Sequence, residues 1–140
     1  MFDGIINKCS SFLEPISEIS KADDKPKFIE SDFKLINFDK VAKQFGDVFR
    51  SPDALWFKQN NIVFIEFKDR KISCVKVNDK CSRNKIQKGI KGKIYEGISL
   101  LSYLLDEPVE SINIEWYLVC NPKLNIINNP DSVHAFLNLI

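Results

Sequence analysis

At 140 residues, with 44% hydrophobic and 28% charged side chains, the chain has the size and usage of one globular α/β-sized domain that can bury its own core. A formal net charge of +1 excludes an argument for nucleic acid from bulk charge, so any basic surface must be local. Cys9, Cys74, Cys81 and Cys120 lack zinc-knuckle spacing and His134 is the one histidine, which excludes an ordinary structural zinc site.

No apolar run approaches the roughly 20 residues needed to span a bilayer. Asp3 and Asn7 interrupt the apolar start, so no signal peptide is expected. The expectation is a cytoplasmic protein with reduced thiols and no membrane partner.

Phe2, Ile5, Ile6, Cys9, Phe12, Leu13, Ile16 and Ile19 recur at helical spacing and predict an amphipathic first helix, ended or kinked by Pro15 after about Glu14. Residues 33–38 read as a strand. Asp39 can cap a short helix that runs to Gln44 or Phe45 and stops at Gly46. Residues 54–57 and 62–68 read as two strands joined through Lys58-Gln59-Asn60-Asn61, which is hairpin chemistry.

A long helix is expected over about 82–105. Ile86, Ile90, Ile94, Ile98, Leu101 and Leu105 form its apolar stripe, with Lys85, Lys88 and Lys91 opposite. Gly89, Gly92 and Gly97 weaken it by up to about 1 kcal/mol each relative to Ala, unless small residues there permit close packing. Residues 112–119 have the continuous apolar character of a buried strand, and 132–139 suggest a short terminal helix. The order predicts a single domain with a mixed four-stranded sheet flanked by helices, in which the long helix crosses between parallel strands.

The chemistry is concentrated in Pro52-Asp53 and the run Ile62-Val63-Phe64-Ile65-Glu66-Phe67-Lys68. Acid-x-Lys triplets also occur at Asp23–Lys25, Asp32–Lys34 and Asp69–Lys71. Only Glu66–Lys68 ends a strongly apolar strand and follows a Pro-Asp at hairpin distance. If the hairpin turns on Gln59-Asn60, Asp53 comes opposite Glu66; if it turns on Asn60-Asn61, Asp53 comes opposite Lys68. Both registers place Asp53, Glu66 and Lys68 on one face with Leu55, Phe57, Ile62 and Phe64, because the side-chain period is two. A three-residue turn without a bulge would split them. Two carboxylates about 5 Å apart on an apolar face call for a cation or a proton between them, and oxygen ligands alone suit Mg²⁺ or Mn²⁺.

Pro52-Asp53 followed by Glu66-Phe67-Lys68, within this element order, resembles the PD-(D/E)xK nuclease superfamily, whose restriction-endonuclease-like core runs αβββαβ. The resemblance covers roughly residues 1–120. It is also similar to small bacterial and phage members that pair such a strand with a Lys-Ile-Tyr-like helix, here Lys93-Ile94-Tyr95. The resemblance implies a metal-dependent nuclease acting on DNA, or less readily RNA. Asp53, Glu66 and the Phe67 carbonyl would hold the ion, and Lys68 would orient water or stabilise the developing oxyanion. It further implies an acid from the first helix at the metal, Glu14 or Glu18, and a polar residue from the following helix, Gln87 or Lys93.

Blander readings stand beside these. Glu66 and Lys68 could be a charge pair on a solvated strand face, Asp53 a turn residue after Pro52, and Glu14 and Glu18 a solvated helix face. Lys80, Arg83, Lys85, Lys88, Lys91 and Lys93 could contact phosphate backbones or form a plain outer helix face. Trp56 and Trp116 read as core residues. A catalytically silent nuclease-like module, acting as a homodimer or through a protein or nucleic-acid partner, is the alternative function.

Overall fold

A computed structural model of the protein describes residues 2–21, 25–69, 80–106, 112–121 and 123, without the side chains of 80–87. The elements are α1 (Asp3–Cys9), a 3₁₀ turn (Ser10–Phe12), β1 (Leu13–Pro15), α2 (Ile16–Ile19), β2 (Lys34–Asn37), α3 (Phe38–Lys43), β3 (Ala54–Lys58), β4 (Asn61–Lys68), α4 (Lys80–Leu105) and β5 (Asn113–Cys120). The expected terminal helix and His134 lie outside the described residues. No helix among those described is long and apolar enough to cross a membrane.

Among the described residues the strands form one mixed sheet in the order β1-β2-β3-β4-β5, five strands rather than the expected four. The pairs from β1 to β4 are antiparallel, and β4 and β5 are parallel, joined across α4. The added strand comes from the region expected to be helical. The apolar spacing is helical as far as Phe2, Ile5 and Cys9, which are buried. Pro15 then lacks an N–H and forces Glu14 out of the α region, so 13–15 extend and pair with Lys34–Ile36. An edge strand is where a sheet tolerates proline.

α3 starts two residues earlier than expected. Its cap is Asn37, whose side-chain oxygen accepts from the Lys40 N–H at 3.1 Å, and not Asp39. Gly46, just beyond the helix, takes a φ of +80°, which suits glycine. The hairpin turns on Gln59-Asn60, with Lys58 opposite Asn61 and Ala54 opposite Ile65.

Strand alternation builds two cores. On one face Ile36, Leu55, Ile62 and Phe64 pack with Phe2, Ile5 and Cys9 of α1, with Phe38, Val41 and Ala42 of α3, and with Leu100 and Leu101 of α4. On the other, Leu35, Ala54 and Phe67 pack with Ile16, Ile19, Phe28 and Ile29. Because both faces of β4 are covered, it is buried almost throughout, apart from Asn61, Ile65 and Lys68. β5 is less buried than expected, since it lies at the end of the sheet order, and Tyr117 is 49% exposed. Trp56 and Trp116 are partly buried, one against each core.

The glycines of α4 divide by role. A Cβ at Gly97 would stand 2.9 Å from the Pro52 ring, and one at Gly92 would collide with the Arg50 guanidinium, whereas Gly89 faces open space. Gly92 and Gly97 therefore let the segment that carries Asp53 lie directly on the helix. Gly89→Ala is expected to stabilise the fold by up to about 1 kcal/mol through helix propensity. Gly97→Ala is expected to destabilise it by about 1–2 kcal/mol, because the proline ring cannot swing aside. Urea unfolding of the two variants distinguishes them by sign.

Candidate functional site

The two-residue turn fixes the register of β3 on β4, and continuing it by one pair brings Asp53 opposite Glu66. Leu55 and Phe64 are partners, so Asp53, Glu66 and Lys68 extend the α4-facing side of the sheet. Lys93 reaches the same place from α4.

Glu66 is 1% exposed. Its Oε1 accepts from Lys68 Nζ at 2.5 Å and from Lys93 Nζ at 2.6 Å. Its Oε2 is buried and has no hydrogen-bond partner among the described residues. A buried carboxylate is tolerated only when paired, and here two ammonium groups, 25% and 30% exposed, share one of its oxygens.

Asp53 is held at both ends. Its backbone carbonyl accepts from the Phe38 N–H at 3.0 Å, and its Oδ2 accepts from the Phe67 N–H at 2.7 Å. Its carboxyl is pushed up to about 6. Burial is the main cause and the Glu66 charge adds to it, while the Phe67 N–H, Lys93 and Lys68 pull the other way. The preceding residues are clamped to α4. The Arg50 backbone N–H donates to Glu96 Oε2, and the Arg50 Nε and an Nη donate to Glu96 Oε1 at 3.0 Å each. Those bonds hold the Glu96 carboxyl below its ordinary range.

Asp53, Glu66, Lys68 and Lys93 are thus brought together, and the Phe67 main chain lies beside Asp53. Glu14 is placed elsewhere. It pairs with Leu35, so it lies on the opposite face, and its oxygens accept from Lys40 and from Asn37 Nδ2. Burial opposes its ionisation, but Lys40 and Asn37 outweigh that and lower its pKa. Glu18 is exposed and bonded to Lys27. Lys88 and Lys91 are exposed on α4, and the Gln87 and Lys85 side chains lie outside the described residues.

Sequence reasoning missed the Arg50–Glu96 clamp, whose members are 46 residues apart and carry no shared periodicity. Among the described residues, no group of three or more His, Cys, Asp or Glu is placed to share a metal ion. Asp53 and Glu66 are two carboxylates, and Mg²⁺ can be held through one or two carboxylates with water and phosphate completing the shell. The buried, unpartnered Oε2 of Glu66 fits a donor to such an ion.

The raised Asp53 carboxyl makes a signed prediction. The folded state binds this proton more tightly than the unfolded chain, so the ionised carboxylate costs stability as pH rises from about 4 through 6. Asp53→Asn keeps an acceptor for the Phe67 N–H and removes the charge. In EDTA, at neutral pH, it should raise stability by about 1–3 kcal/mol, and the gain should vanish near pH 4. Thermal unfolding of both proteins across that range checks it; parallel pH profiles would contradict the assignment.

Comparison of the chain with family models, with curated proteins and with solved structures finds no match.

Proposed function

We propose that the protein is a divalent-metal-dependent nuclease that hydrolyses phosphodiester bonds of DNA, with RNA the less favoured substrate. The observation that carries this reading is the buried Glu66 carboxylate, with one oxygen unpartnered among the described residues, beside an Asp53 whose ionised form is disfavoured and within reach of two lysines. Like-charged carboxylates brought together on an apolar face are costly for stability and are found where chemistry needs them. The antiparallel β2-β3-β4 meander, the α4 crossover and the parallel β5 also agree with the αβββαβ order of PD-(D/E)xK nucleases.

Asp53 and Glu66 would hold Mg²⁺ or Mn²⁺, with the Phe67 carbonyl as a further donor. The ion, when bound, supplies a water of lowered pKa and neutralises charge building on the phosphate. Lys68, on the same strand face, would orient the attacking water or stabilise the developing oxyanion. Asp53 is presented by the segment clamped between α3 and α4, so its position is set before any ligand arrives. Lys88 and Lys91, exposed on α4, would meet the phosphate backbone.

A second reading has one observation in its favour. Lys68 and Lys93 already neutralise Glu66, so the cluster can persist as a structural ion pair in a silent binding module.

Purified protein is incubated with plasmid and with single-stranded DNA, with Mg²⁺, Mn²⁺ or EDTA. Wild type should cut with either metal and not with EDTA. Glu66→Gln and Lys68→Ala should lower the rate by about 10²–10³-fold while remaining folded. Folded wild type that cuts neither substrate would favour the binding module.

A further inference from the structure

We infer that Lys93 is a phosphate ligand held in reserve by Glu66, so that a divalent cation and nucleic acid bind this site cooperatively. The inference rests on the metal site proposed above.

Lys93 and Lys68 donate to the same oxygen of Glu66. With Asp53 ionised, the two carboxylates and two ammonium groups balance, and the site offers an incoming phosphate no free cation. Once a divalent cation occupies the carboxylates, the group carries two positive charges in excess. Two ammonium groups on Oε1 then face a cation held at Oε2 of the same carboxylate, and the excess charge favours the departure of one, because like charges repel strongly where water is scarce.

Lys93 is the one placed to leave. Lys68 shares its strand and its face with Glu66, only two residues away. Lys93 reaches in from α4 and is 30% exposed. Rotation about its own side-chain torsions carries its ammonium off Glu66 toward solvent. There it would add a cation for a phosphate that the excess charge already attracts. Cation binding frees the anion ligand, and by linkage an anion that engages Lys93 tightens the hold on the cation.

The test measures Mn²⁺ affinity by calorimetry. It also measures the affinity of a short single-stranded oligodeoxynucleotide and of its duplex, by stopped-flow anisotropy ahead of cleavage, at matched ionic strength. In wild type, saturating Mn²⁺ should tighten oligonucleotide binding by about 10-fold. Lys93→Gln should bind Mn²⁺ severalfold more tightly, because a competitor for Glu66 is gone, yet lose most of that coupling. Lys93→Arg should keep it, and Lys91→Gln should weaken DNA binding with Mn²⁺ affinity unchanged. Lys93→Met, which keeps the apolar stem, replaces Lys93→Gln should that variant misfold, and full coupling in either folded variant would overturn the role of Lys93. Mn²⁺ and DNA binding independently in wild type would overturn the role of Lys93 alone. Wild type that binds no Mn²⁺ would overturn the metal site as well.

Discussion

The structure turns on one buried charge. Glu66 lies in β4, an interior strand covered on both faces, where an unpaired carboxylate would not be tolerated. Two constraints follow. A cation must come from the same strand face, and Lys68 supplies it by the two-residue period of β4. A second must come from the layer above, and Lys93 supplies it from α4. The polar cluster therefore fixes how α4 sits on the sheet as much as the apolar contacts of Leu100 and Leu101 do.

Close approach of α4 has a second consequence. Residues without side chains at Gly92 and Gly97 receive Arg50 and Pro52, and Glu96 between them binds the Arg50 backbone and guanidinium. Asp53 is thus delivered against Glu66 by a backbone that is itself pinned. Its elevated carboxyl pKa is the cost of that placement. The helix weakened by glycine and the acid weakened by burial are two sides of one arrangement, which sacrifices stability to hold a defined polar group.

Much of this was legible in the residues. Gln59-Asn60 sits between two strongly β-prone runs, so the hairpin, its two-residue turn as one of two registers, and the shared face of Asp53, Glu66 and Lys68 could be read from period-two logic. The long apolar stripe implied α4, and its length implied a crossover to a parallel strand. Local rules failed where long-range pairing decided the outcome. Leu13 and Glu14 continue a helical spacing, yet Pro15 and the open edge of β2 turn them into a strand, which carries Glu14 to the opposite face. The apolar sequence of β5 does not reveal that it ends the sheet. Arg50 and Glu96 are ordinary charges until the fold brings them together.

The central claim is that Asp53 and Glu66 share a divalent cation. Anomalous scattering from crystals grown with Mn²⁺ tests it most directly. A shared cation gives a peak between the two carboxylates, with Glu66 Oε2 among its donors and Lys93 displaced from Oε1. Density without a peak there, and with Lys68 and Lys93 both still on Glu66, would contradict it.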